Sequence, residues 1–138
     1  MTANAARNDR FINLHSEHTP VLSRWSYDPE EPYAVTVAFQ IGVDQWVEWV
    51  FARDLLMAGV VGPAGIGDVR FVPFDEPDSE HGERLLLLQI ESDQGRASWF
   101  LNRDEADEFL EMTLQIVPSG EEENHFDVDK LIEEIADV

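Results

Sequence analysis

The sequence predicts an α+β fold made of two antiparallel β-meanders, each running into a helix, with a further helix at the C-terminus. Three observations carry this. First, Trp46 to Phe51 is short, aromatic and β-branched, and it passes directly into the helix formers Arg53 to Ala58, with Gly59 as the stop. Second, the same junction recurs 50 residues on, where Trp99, Arg103 and Asp104 repeat Trp49, Arg53 and Asp54. Third, the flanking segments alternate with the two-residue period of strands. Gln40-Ile41 matches Gln89-Ile90 one residue out of register, which predicts a second turn one residue longer. Two copies are too few for a solenoid, so the halves are expected to share one core.

The elements follow in order. Met1 to Asp9 is small and polar, a tail ahead of a single domain spanning Arg10 to Val138. Arg10 to Ser16 reads as a first strand, broken by His18, Thr19 and Pro20. Val21 to Tyr27 is a second strand with Trp25 and Tyr27 on one face, and Asp28 to Pro32 is a turn set by two prolines. Tyr33 to Ile41 places Tyr33, Val35, Val37, Phe39 and Ile41 on one face, and Gly42-Val43-Asp44 turns the chain back. Val60 to Gly67 is a glycine-rich connector without the Gly-Lys-Ser/Thr of a phosphate loop. Asp68 to Phe74 is a strand whose Pro73 marks an edge, and Asp75 to Glu83 is an acidic loop. Arg84 to Ile90 contains four consecutive leucines, which fits a strand buried on both faces. Ser92 to Gly95 turns into Arg96 to Leu101.

Asn102 is an N-cap with Glu105 at capping-box spacing. The helix it opens shows Ala106, Phe109, Leu110, Thr113, Leu114 and Val117 as a stripe, and Pro118-Ser119-Gly120 ends it. Glu121 to Glu123 reads as a solvated charge run. Val128 to Ala136 is a short amphipathic helix, too short to be stable alone, and must dock on the body or on a partner.

Composition narrows the function. The 138 residues hold 29 acidic and 9 basic side chains, a formal charge of −20. That balance repels nucleic-acid phosphates and anionic membranes, and favours basic or apolar protein partners. There is no cysteine, and hence no disulfide or thiolate site. No apolar run approaches the roughly 20 residues of a membrane helix, and the N-terminus lacks the apolar core of a signal peptide, so a cytoplasmic chain without membrane insertion is expected.

Catalytic and metal constellations are missing from the sequence. His15, His18, His81 and His125 show no zinc-helix spacing, and no serine-nucleophile motif occurs. Glu48, between Trp46 and Trp49, is the one carboxylate set among aromatic residues; it faces water or pairs with an arginine, the alternative being an unrecognised hydrolase in which a water-excluded pocket joins Glu48 to a histidine. Trp25, Trp46, Trp49 and Trp99 suit a core or an interface better than a base-stacking platform, because no basic groove accompanies them. Leu85, Leu87, Leu131 and Ile135 are candidate oligomer contacts, and Glu48, Arg53 and Asp54 candidate partner contacts.

Several blocks resemble the SsgA-like family of actinomycete sporulation and cell-division proteins, in its SsgB-like branch. They are Asp28-Pro29 with Pro32 to Val35, Val47-Glu48-Trp49-Val50-Phe51-Ala52-Arg53-Asp54-Leu55-Leu56, Gly65 to Arg70, and His125 to Asp129. The longer polar N-terminus and the acidic Asp75 to Glu83 loop depart from that pattern. The resemblance implies a whirly-like fold, a homotrimer, no enzymatic activity, no cofactor and no metal. It further implies a place at division septum sites, recruitment of the tubulin-like division protein FtsZ, and an SsgA-type relative as partner. The alternative it leaves is single-stranded nucleic-acid binding by analogy of fold.

Overall fold

In the computed structural model, residues 8–16, 19–75, 83–125 and 128–136 are described. Eight strands form two four-stranded antiparallel sheets in simple chain order. The first sheet holds β1 (Asn8–Leu14), β2 (Val21–Tyr27), β3 (Ala34–Gly42) and β4 (Gln45–Ala52). β4 continues without a loop into α1 (Arg53–Gly59). The second sheet holds β5 (Ala64–Ile66), β6 (Val69–Asp75), β7 (Arg84–Ser92) and β8 (Gly95–Asn102), and β8 continues likewise into α2 (Arg103–Ile116). A 3-10 turn at Glu122–Asn124 precedes α3 (Val128–Ala136). The two sheets touch where His15 and Phe100 exchange backbone hydrogen bonds of 2.8 and 2.7 Å.

The strand-into-helix duplication is therefore present, but its register differs from the sequence reading. Val37 stands opposite Trp49 and Leu88 opposite Trp99, so the strand before each turn is offset by 51 residues and the strand after it by 50. The additional residue lies in the first hairpin. Gln40 pairs with Trp46 and Gly42 with Gln45, which leaves Ile41 as a β-bulge. Both turns hold two residues, Val43-Asp44 and Asp93-Gln94, and Asp44 adopts a φ of 57°. With this register the inward triad Val35, Val37 and Phe39 of β3 matches Leu86, Leu88 and Ile90 of β7.

The glycine-rich connector also contains a short strand the sequence did not reveal, β5, whose three residues pair with Val69 to Phe71. Beyond Phe71 β6 has no neighbour on that side among the described residues, so Pro73 sits where a missing N–H removes no ladder bond. Most of the acidic loop, residues 76–82, and the N-terminal residues 1–7 lie outside the described residues. Asn8 and Asp9, expected in the tail, begin β1.

Each sheet turns one apolar face inward, and α1 and α2 close the space between them. Trp25 is fully buried at the centre, with its ring 6.0 Å from Phe51, 6.3 Å from Phe71 and 5.8 Å from Phe109. It thus joins both sheets and α2. Its indole N–H donates to Ser23 Oγ at 2.8 Å, and that hydroxyl donates to the Ile12 carbonyl at 2.6 Å, so the polar atoms buried with the ring are satisfied. On α2 the Asn102 side chain accepts from the Glu105 amide at 3.0 Å, as its N-cap position implies.

Gly59 ends α1 directly against β6. A Cβ at this position would collide with the Phe71 Cβ, so α1 could not keep its distance from the sheet. We expect Gly59→Ala to destabilise the fold by about 1–3 kcal/mol, as overpacking does. The check is a urea unfolding curve with a lower midpoint and an unchanged slope; an unshifted midpoint would show that this junction relaxes freely.

Candidate functional site

The charged site of this fold lies at its centre. Arg53 opens α1 at the end of β4, where Ala52 is still extended, and its side chain is only 1% exposed. Its Nη1 donates to the carbonyls of Thr113 at 3.1 Å and Val117 at 2.7 Å, at the C-terminal end of α2. Nη2 lies 3.3 Å from Glu122 Oε2, and the guanidinium stands 5.2 Å from the centre of the Tyr27 ring. A cation here meets the negative end of the α2 dipole. The Thr113 carbonyl already accepts from the Val117 amide at 2.9 Å and takes the guanidinium as a second donor, and the Val117 carbonyl lies just past the helix. The Thr113 hydroxyl donates to Leu110 O at 2.6 Å and so does not compete for the guanidinium.

Glu122 completes the cluster from the 3-10 turn. Its Oε1 accepts from the Gly120 amide at 2.6 Å. Its own backbone N–H, then that of Gly120, and the Arg53 guanidinium hold the carboxyl below the ordinary glutamate range, against the opposing effect of burial. Burial raises the neighbouring Tyr27 phenol despite the nearby Arg53 charge, and that hydroxyl donates to Pro32 O at 2.8 Å.

This arrangement corrects two sequence readings. Arg53 does not reach a partner, because its three neighbouring acceptors lie inside the protein and water cannot reach it. Glu122 is not part of a solvated run; it is buried between Glu121 and Glu123, which are exposed. The triplet of glutamates concealed it, since nothing in the local pattern marks which carboxylate an arginine 69 positions away will meet. The second copy of the motif differs. Asp104 forms an exposed 3.0 Å ion pair with Arg84 on the surface, which contributes little.

The other sequence candidates are scattered. Glu48 is exposed on the outer face of the first sheet, three residues from the Phe51 that enters the core. On that face Arg24 stacks over Trp46 at 5.3 Å. Asp54 is exposed at the start of α1. Leu85 and Leu87 are half-buried on the outer face of the second sheet, while Leu86 and Leu88 enter the core, so β7 is covered on one side only. Beside them Phe74 is 43% exposed and packs on Phe100 at 5.5 Å. Leu131 and Ile135 stand exposed on α3. His15 is exposed beside β8, His125 is exposed after the 3-10 turn, and His18 and His81 lie outside the described residues. Among the described residues no group of three or more His, Cys, Asp or Glu is placed to hold a metal, and no helix is long and apolar enough to cross a membrane.

A groove of about 400 Å³ opens between the two hairpin tips, lined by Phe39, Ile41, Val47, Trp49 and Trp99. Phe39 and Trp99 stack there at 5.0 Å and 26°. Arg96 is its one cation among the described residues, and Glu91 neutralises it at 3.3 Å. Aromatic stacking without a positive groove is a poor fit to a nucleic-acid strand.

A family model described as Streptomyces sporulation and cell division protein, SsgA, matches residues 21–122, which include β2 to β8, both strand-to-helix junctions and the Arg53–Glu122 pair. The chain belongs to the SsgA family. It is 38% identical over 116 residues to the sporulation-specific cell division protein SsgB of Thermobifida fusca, covering 83% of this chain and 80% of that one. It is 39% identical over 126 residues to SsgB of Streptomyces coelicolor, covering 91% and 89%. The crystal structure of an SsgA-like sporulation-specific cell division protein from Thermobifida fusca superposes with a TM-score of 0.76 at 34% identity, over 93% of each chain. A solved structure described with mutations in SsgB that correlate to longitudinal cell division in Streptomyces coelicolor superposes with a TM-score of 0.74 at 36% identity, over 88% of this chain and 94% of that one. The family is one of sporulation and cell-division proteins, not of enzymes, and this chain's role lies in those processes.

The Arg53 cluster carries two expectations. Arg53→Met should lower stability by about 3–5 kcal/mol, because it strands the Glu122 carboxylate, and adding Glu122→Leu should restore part of that loss; paired denaturant curves of the single and double variants decide it. The pH dependence has a definite sign. The folded-state pKa of Glu122 lies below its unfolded value near 4.5, so its stabilisation is complete above that value and disappears as pH falls through the folded pKa. The stability gap between the parent and Glu122→Gln should therefore be constant at neutral pH and close as the pH falls below the ordinary value of 4.5 and through the lowered folded-state pKa. A gap that widens on acidification would contradict the assignment.

Proposed function

We propose that this protein is a non-enzymatic adaptor of sporulation-specific septation, which sits at septum sites as a homo-oligomer and recruits the tubulin-like division protein FtsZ. The observation that carries this reading is the amount of apolar surface left uncovered around a rigid core. The outer face of the second sheet presents Val72, Phe74, Leu85, Leu87 and Phe100, and among the described residues no helix lies on it. Patches of that kind mark interaction surfaces. The buried charged groups among the described residues, Arg53 and Glu122, are engaged in holding the fold and are not aimed into a cleft. The relatives carry cell-division names, which supports the same direction.

Two kinds of contact are assigned to two surfaces. The outer face of the second sheet, with Leu85 and Leu87, is the self-contact of a trimer; its centre is apolar, as the core of a subunit interface is. The acidic remainder of the surface faces other proteins, FtsZ and an SsgA-type relative among them.

Each assignment has its own measurement. Leu87→Glu should reduce the mass seen by light scattering from a multiple of 15.7 kDa to that single value, with the circular dichroism spectrum retained; an unchanged mass removes this face from the interface. The parent protein should co-sediment with purified FtsZ filaments and change their assembly, and absence of both effects would overturn the recruitment reading.

A further inference from the structure

The end of the chain holds a second uncovered surface with a different character. α3 has nine residues, fewer than an isolated helix needs in water, yet Leu131, Ile132 and Ile135 are 40%, 57% and 64% exposed. A helix this short with its apolar side in water requires a cover. Beside it runs a groove of about 410 Å³ between α3 and the β2–β3 turn, lined on the turn by Asp28, Glu30 and Glu31 and on the helix by Leu131 and Glu134. Lys130 and His125 are the basic groups lining it, so carboxylates outnumber cations along its length.

Charge decides between the occupants. A second copy docked symmetrically through α3 would bring the same carboxylates onto these ones, in a chain already at −20. An anionic membrane surface, the other usual receiver of an amphipathic helix, is repelled for the same reason. The apolar edge needs an apolar ridge, and the acidic rim needs cations flanking it. Both requirements are met by one object, an amphipathic helix with lysines or arginines beside its apolar stripe, laid alongside α3.

We propose that α3 and the β2–β3 turn together form a docking groove for a basic amphipathic helix of a partner protein, and that Leu131 and Ile135 belong to this hetero-contact and not to the subunit interface. The proposal rests on the adaptor reading only in supposing that some partner exists; it does not require that partner to be FtsZ.

The test uses the full chain and a fluorescein-labelled 14-residue peptide of leucine and lysine in helical alternation, with its leucine–glutamate analogue as control. The lysine peptide should bind, and binding should weaken as salt rises from about 50 to about 300 mM. Ile132→Gln with Ile135→Gln, which keeps helix propensity, should weaken it about tenfold or more. Glu30→Lys with Glu31→Lys should weaken it about fivefold or more, while the same change in net charge at Asp68 and Asp93, on turns of the second sheet, should leave it within about twofold. The proposal fails if the glutamine pair binds as the parent does, if the distant charge reversal weakens binding equally, or if the glutamate peptide binds as tightly. It fails as well if the glutamine pair lowers the oligomeric mass, which would make a second copy the occupant. FtsZ sedimentation run in parallel separates the two readings. FtsZ binding without peptide binding sinks the groove alone, and peptide binding that maps to α3 without FtsZ binding sinks only the recruitment reading.

Discussion

A buried guanidinium ties the two halves of this protein together. Arg53 belongs to the first half by sequence, but every acceptor it meets belongs to the second: Thr113, Val117 and Glu122. Removing such a cation from water is costly, so its position is tolerated only because two helix-end carbonyls, a carboxylate and an aromatic face receive it together. That condition fixes where α2 must end, since Val117 has to present its carbonyl. It also draws the chain after Gly120 back toward β2 and β3, and so places the start of α3 beside the turn at Asp28 to Glu31. The arginine thus holds the segment that leads into one wall of the acidic groove.

Duplication explains the framework and divergence explains the uses. Both halves run a strand straight into a helix, and their inward triads match once the bulge at Ile41 is counted. The helices then part company. α1 has seven residues and α2 fourteen. The longer helix can span the sandwich and return its C-terminal end to the arginine of the other copy. Their outer faces differ too: the first sheet offers Arg24 over Trp46 with Glu48 nearby, and the second an apolar patch around Leu85, Leu87 and Phe74. One duplicated scaffold thus carries unlike surfaces.

Much of the candidate site was beyond the reach of the sequence, for reasons that differ by residue. A run of four leucines exceeds what one sheet face can bury, and Leu85 and Leu87 are the two that face outward. On α3 the helical spacing showed that Leu131 and Ile135 share a stripe, and both are exposed. Arg53 was misplaced. An arginine at the start of a helix is ordinarily exposed, and only the distant carbonyls and carboxylate it meets mark this one as buried. Glu122 was hidden among three glutamates, where only the distant arginine distinguishes the middle one. The 50-residue repeat was visible, but its register was read one turn residue too long in the wrong half, because a bulge leaves no sign in periodicity beyond a single slipped residue.

What the amino-acid order settled by itself was local: the alternation that makes strands, the Asn102 cap, the short final helix, the acidity, and blocks distinctive enough to indicate the family. These depend on neighbours within a few residues, and on composition, which needs no fold. The tertiary structure decided which arginine is buried, which glutamate receives it, which leucines of Leu85 to Leu88 face outward, and that α3 lies beside the acidic β2–β3 turn. Each of these is set by side chains far apart in the chain meeting across a packed core, where burial and charge pairing are resolved jointly and no local window contains both partners.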